Sequence, residues 1–217
     1  SVDPHACFPE EEEIELPLPV PELAGAFVFV TGSGRRLREI INDPVASVAC
    51  VAIQREGRTG RVFTSPRRRF ERPTSEFNSH LAVHRDRVVA TGTDYHAVIH
   101  AQPVHATYLS HVPRYRSERF LNERLMRWQA ETIIQLPEGI GYIPFRVPGS
   151  QGLMESTVDS LRRHRVVLWE KHGMMVRSDL SVGRAADIVE YVETAARYEY
   201  LNLAAGEAGV GLGRAEI

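Results

Sequence analysis

Lysine is nearly absent from this chain of 217 residues: of 26 basic residues, only Lys171 is lysine and the rest are arginine. A Schiff-base mechanism or the lysine of a phosphate-binding P-loop therefore has a single candidate. Lys171 precedes a histidine and has no Gly-rich loop upstream, so it suits neither role. Cysteine is equally scarce. Cys7 and Cys50 form neither a disulfide framework nor a Cys-rich zinc site. No apolar run approaches the ~20 residues of a membrane-spanning helix. The acidic start, Glu10 to Glu13, lacks the basic-then-apolar pattern of a secretory leader. The expectation is a cytoplasmic protein with no membrane partner. Net charge is −2, and the one basic run, Pro66-Arg67-Arg68-Arg69, is too short for a nucleic-acid binder.

The rest is ordinary for a globular domain: 43% hydrophobic and 25% charged residues, with length enough for one domain and a core. The Pro-rich, acidic first twenty-odd residues read as an irregular arm. Ala26 to Val30 is a buried strand ending in the turn Thr31-Gly32-Ser33-Gly34. Val45 to Ile53 is a second strand, with Arg61 to Thr64 as its hairpin partner. Ser75 to Arg85 reads as a helix capped by Thr74 or Ser75. Ala97 to His100 is a short buried strand closed by Pro103, and Ser117 to Trp128 is helical. Thr132-Ile133-Ile134 and Gly141-Tyr142-Ile143 read as short strands. Ser150 to Arg163 is an amphipathic helix, and Val166 to Trp169 is a strand that Met174 to Val176 continues after Gly173. The final helix, Ser181 to Ala204, carries one apolar stripe. The alternation predicts a single three-layer α/β domain over 1–217, with a mostly antiparallel or mixed sheet.

Three stretches carry ligand-type side chains at strand ends or turns: Pro73-Thr74-Ser75-Glu76, His100-Ala101-Gln102-Pro103 and Glu170-Lys171-His172-Gly173. His100 and Gln102, at i and i+2 on a strand, share a face. His172 before a glycine is placed to project from a sheet edge. Glu76 follows a helix cap, where the helix start favours negative charge. Glycine turns and helix starts present N–H groups to anions, and Ser33, Gly34, Thr74 and Ser75 stand at such places, which taken alone read as a plain turn and a helix cap.

Taken in order with Phe27 to Gly34, Pro137 to Pro144, Val147-Pro148-Gly149 and Val167-Leu168-Trp169, these stretches resemble the class II aldolase/adducin superfamily over roughly residues 23 to 203. They most resemble its branch that splits L-rhamnulose 1-phosphate. The resemblance implies a zinc-dependent retro-aldol cleavage of a ketose 1-phosphate to dihydroxyacetone phosphate and an aldehyde, which needs no lysine. It implies His100 and His172 as zinc ligands, Glu76 as the catalytic glutamate that can approach the metal, Ser33, Gly34, Thr74 and Ser75 around the substrate phosphate, and Glu131 as an assisting glutamate from a neighbouring subunit of a homotetramer. Gln102 stands where the third zinc histidine falls. An amide oxygen is a weaker zinc ligand than imidazole and suits harder divalent ions. His105, three residues on, could approach only if the chain turns after Pro103. The family's N-terminal helix and phosphate-binding Gly-Asn loop are expected to be missing, with Ser1-Val2 as the tail of that loop. Two rivals remain open: a metal-free, adducin-like binding or oligomerisation module, and a sugar-phosphate epimerase or decarboxylase on the same fold.

Overall fold

The computed structural model describes residues 4–213 and residue 216. Ser1-Val2, the expected loop tail, lies outside the described residues. The chain divides into two compact units, Ser1–Gly92 and Thr93–Ile217.

The first unit holds β1 (Glu10–Glu15), β2 (Phe27–Thr31), α1 (Leu37–Asn42), α2 (Pro44–Ser47), β3 (Val48–Ile53), β4 (Thr59–Thr64) and α3 (Phe77–Thr91). Its sheet is antiparallel throughout, in the order β1-β4-β3-β2. The expected hairpin of β3 and β4 is present. The irregular arm is not: Glu10 to Glu15 is an edge strand paired with β4 from Glu10↔Thr64 to Glu15↔Thr59. Its prolines, Pro9 and Pro17, flank the strand rather than interrupt it. An edge strand needs only its backbone to pair, so the acidic side chains stay in water. There they meet Arg61 (3.8 Å from Glu11) and Arg68 (3.6 Å from Glu10). A charged edge also discourages pairing with another chain. The second strand begins three residues later than expected. Pro44 opens a helical turn, and the Asp43 carboxylate accepts from the Ala46 N–H at 3.3 Å.

The helix expected at Ser75 begins at Phe77 and runs to Thr91, where Gly92 closes it in the left-handed conformation at φ 66°. Neither Thr74 nor Ser75 is its cap. Thr74 is spent on a turn of its own, its carbonyl accepting from Phe77 N–H at 3.1 Å, and Glu76 takes the cap position.

The second unit holds β5 (Ala97–Ala101), α4 (Val104–Leu109), α5 (Glu118–Leu125), α6 (Ala130–Gln135), β6 (Gly141–Ile143), α7 (Gln151–Leu161), β7 (Val166–Trp169), β8 (Gly173–Ser178) and α8 (Val182–Ala204). Its sheet runs β5-β8-β7-β6, parallel between β6 and β7 and antiparallel elsewhere. Strand alternation divides its side chains between two faces. Ile99, Val166, Leu168, Met174 and Val176 join one core with Ala106 and Leu109 of α4 and Ala185, Ile188 and Val192 of α8. His100, Val167, Trp169 and Met175 take the other face, the side left for α7, which also packs on β6, β7 and β8. Helices thus cover both faces, as the three-layer α/β expectation requires.

Thr132 to Ile134 is not a strand but part of α6. Thr132 and Leu136 are both buried, Ile134 is exposed, and Leu136 N–H donates to the Thr132 carbonyl at 2.9 Å. Burial at i and i+4 is a helical period, so packing overrides the β-propensity of three β-branched residues.

Candidate functional site

In the first unit, the two segments expected to hold phosphate lie side by side. Ser33 N–H donates to the Arg72 carbonyl at 2.8 Å, Thr74 N–H donates to the Thr31 carbonyl at 3.0 Å, and Gly32 bridges to Pro73. This antiparallel zipper joins the two segments with Ser33 opposite Arg72 and Thr74 opposite Thr31, so it does not set Ser33 and Gly34 opposite Thr74 and Ser75. Gly32 has a steric reason: a Cβ there would run into the buried Phe70 ring. Gly34 has a conformational one, with φ +77°. Gly32→Ala is expected to lower stability by about 1–3 kcal/mol, as overpacking does, and to disturb the loop pair with it. Urea unfolding would read this, and an unchanged midpoint would show that Phe70 simply moves aside.

Glu76 follows directly. It is 2% exposed and sits at φ −90°, ψ 15°, the sparsely used bridge region where active-site residues are often found. One helical turn on, His80 N–H donates to the Glu76 carbonyl at 3.1 Å, and desolvation pushes the His80 imidazole down to about 4. A neutral imidazole one turn from Glu76 escaped the sequence reading, because the motif stops at the glutamate.

In the second unit, His100 and His172 meet at one end of the sheet. Their ring centroids are 4.9 Å apart and their planes stand at 89°. His100 comes from the end of β5. His172 comes from the tight β7–β8 turn, where its N–H donates to the Trp169 carbonyl at 3.2 Å. Lys171 carries the strain of that turn at φ 60°, a conformation L-residues adopt at a cost, and its N–H donates to Ser110 Oγ at 2.7 Å. Gly173 is obligatory here: its φ is +144°, and a Cβ would collide with the Ala101 carbonyl and lie 3.1 Å from Gln102 Cγ. Gln102, though exposed, therefore runs beside Gly173, next to His172.

The carboxylate of this stretch, Glu170, is buried away from water. It accepts from Phe145 N–H at 3.0 Å and pairs with Arg116 at 3.3 Å and Lys171 at 3.4 Å. Burial alone would raise its pKa. The Phe145 N–H, the Arg116 and Lys171 charges and the Tyr142 hydroxyl more than offset that, and hold it below the ordinary carboxylate value. Glu170 anchors the turn that presents His172. Burial lowers the pKa of His172, favouring the neutral imidazole that a metal requires.

Among the described residues, no three His, Cys, Asp or Glu side chains form a metal-binding group. What the second unit offers a divalent ion is two imidazoles and one amide oxygen. That set fits a divalent metal, less tightly than three imidazoles would. His105 does not take the place of Gln102. Its Nδ1 lies 2.7 Å from Glu193 Oε1, its ring rests 5.2 Å from Tyr200, and Glu193 also accepts from the His105 and Ala106 N–H groups that open α4. Glu131 stands exposed in the first turn of α6, and among the described residues no hydrogen bond joins it to His100 or His172. Trp169 ends the expected strand and belongs to the motif Val167-Leu168-Trp169, but nothing local in the sequence marks it as the ring in contact with both histidines.

Residues 19–200 match the family model for the Class II Aldolase and Adducin N-terminal domain. A rhamnulose-1-phosphate aldolase from Pectobacterium atrosepticum is 31% identical over 154 residues, 71% of this chain and 56% of that protein. One from Pectobacterium carotovorum is 30% identical over 77% of this chain and 60% of its own length. The chain thus spans less than two thirds of these curated relatives. A sugar-phosphate aldolase from Thermotoga maritima superposes with a TM-score of 0.74 at 26% identity, over 92% of this chain and 81% of that one. No helix among the described residues is long and apolar enough to cross a membrane. With the family model covering most of its length, this chain belongs to the class II aldolase and adducin family.

Proposed function

We propose that this chain is the catalytic domain of a metal-dependent aldolase that cleaves a ketose 1-phosphate, such as L-rhamnulose 1-phosphate, to dihydroxyacetone phosphate and an aldehyde. The observation that supports it most is the meeting of His100 and His172 at one sheet end, with Gln102 beside them. These three residues would hold the divalent metal, Zn²⁺ or a harder ion. A metal held there would act as a Lewis acid towards the charge that develops on the substrate's adjacent oxygens.

The remaining roles fall to the chain's own groups. Ser33, Gly34, Thr74 and Ser75 bind the phosphate through hydroxyls and backbone N–H groups. The hydroxyl of the departing aldehyde half loses its proton, the C3–C4 bond breaks, and the ketone half takes a proton at C3. Glu76 is the group that moves a proton. Glu131, exposed on its own subunit, assists from a neighbour in a homotetramer. A phosphorylated sugar does not cross membranes unaided, so the substrate class puts the protein in the cytoplasm.

Metal content of the purified protein, with titration of Zn²⁺ and Mn²⁺ into it and into Gln102→His, tests this. The unsubstituted protein should retain a divalent ion, and Gln102→His should bind Zn²⁺ at least about tenfold more tightly, roughly 1.4 kcal/mol. If no metal is retained after supplementation, the metal-dependent reading fails. A second reading, an adducin-like binding module without catalysis, draws on the absence of a third imidazole. Metal binding without release of dihydroxyacetone phosphate from a panel of ketose 1-phosphates would favour it.

A further inference from the structure

We infer that Trp169 is a positioning residue of this centre: its indole holds the His100 and His172 imidazoles in the arrangement that lets both reach one ion. The inference rests on the metal reading above.

Trp169 ends β7 and is 1% exposed. Its ring centroid lies 4.7 Å from that of His100 at 57°, and 4.9 Å from that of His172 at 37°. With 4.9 Å between the imidazoles themselves, the three rings form a nearly equilateral triangle. The histidines come from different elements, the end of β5 and the β7–β8 turn. No shared backbone fixes one ring relative to the other. Side chains poised for ligation need rotamers locked by packing, and the indole is the surface both rings lean on.

Register makes room for this. Trp169 pairs with Gly173 across β7 and β8, so the neighbour on that side has no side chain to fill the space the imidazoles use. His100 pairs with buried Met175, on the same face as Trp169. Core filling alone does not account for the tryptophan. Its Nε1–H is buried and makes no hydrogen bond among the described residues. A buried indole ordinarily finds a partner, and a leucine or phenylalanine would fill a core without that orphan. What the indole adds is an aromatic ring system large enough to contact two imidazoles at once.

Two measurements on the full chain decide it. In the unsubstituted protein, the ring protons of His100 and His172, assigned with H100Q and H172Q, should be displaced from the other histidine signals by the indole ring current, and the displacement should vanish in W169L. Ordinary positions for both would overturn the inference, whatever metal does. In calorimetric titration with Zn²⁺, W169L should bind about 10–100-fold more weakly, the loss typical when a group orienting a metal ligand is removed. W169F, which keeps an aromatic face, should recover most of it. Equal Zn²⁺ affinity in W169L and the unsubstituted protein overturns Trp169 alone and leaves the metal reading standing. No Zn²⁺ binding by the unsubstituted protein overturns the metal reading and the inference with it.

Discussion

Replacing Glu76 with glutamine is expected to slow ketose 1-phosphate cleavage by about 10²–10⁴-fold, the usual contribution of a positioned general acid–base, with the fold retained. Glutamine keeps the size and much of the hydrogen-bonding of the carboxylate but cannot exchange a proton. Glu76 is buried at the head of α3 in bridge-region backbone, a conformation that the Thr74 turn before it and the helix after it impose. The variant therefore tests chemistry rather than folding. Glu76→Ala should lose at least as much activity, and circular dichroism should show an intact helix content in both. The loss should appear in kcat more than in KM, because proton transfer belongs to the transition state. Unchanged turnover in Glu76→Gln would remove this residue from the mechanism.

A second large effect is expected at a residue with no part in the proposed chemistry. Glu199 on α8 has no exposed surface and accepts three hydrogen bonds: from Tyr115 Oη, from Arg124 Nε at 2.7 Å and from Trp128 Nε1 at 2.9 Å. These donors come from the segment around α5, so one carboxylate ties that segment to α8. Glu199→Leu would strand a buried phenol, a partly buried indole N–H and a guanidinium whose remaining carboxylate, Glu207, is 3.3 Å away and half in water. Breaking a buried ion pair by removing one partner costs about 3–5 kcal/mol. For a chain of this size that is a fall in Tm of roughly 6–20 °C. Glu199→Gln should fall between, since its amide has one oxygen for three donors. A Tm within a degree or two of the unsubstituted protein would mean that the network is not structural.

The network also has an alkaline signature. Burial first, and the Glu199 bond and charge next, push the Tyr115 hydroxyl up to about 12. The unfolded chain then releases this proton at a lower pH than the folded chain. Stability from Tyr115 is fully present below pH ~10, the ordinary tyrosine value, and is lost as pH rises towards 12. Tyr115→Phe should flatten that part of the stability–pH curve.

The contrast between Glu76 and Glu199 shows what could be read in advance. Glu76 sits in a local motif, Pro73-Thr74-Ser75-Glu76, and its placement before a helix follows from neighbours within a few residues. Glu199 looks like one more polar residue in a long helix, because its three partners lie 71 to 84 positions away. Local signals also explain why β3, β4, β5, β7, β8, α7 and α8 match expectation to within a few residues. They explain the failures as well. The acidic β1 has the composition of a solvated arm and becomes a strand only because the edge of β4 accepts it. The β-branched α6 becomes a helix because Thr132 and Leu136 must reach the same side.

Sequence alone determined the family-bearing motifs, their order, the near-absence of lysine that disfavours Schiff-base chemistry, and the amide at Gln102. These are matters of residue identity and short spacing, which no packing alters. Only the tertiary structure decided that the Thr31-Gly32-Ser33 turn is zipped to Arg72-Pro73-Thr74, that His100 and His172 meet over Trp169, and that His105 is committed to Glu193. Those juxtapositions join residues some 40 to 90 positions apart. They depend on strand register and on which face of the sheet each helix covers, and both are set by burying the whole apolar surface at once.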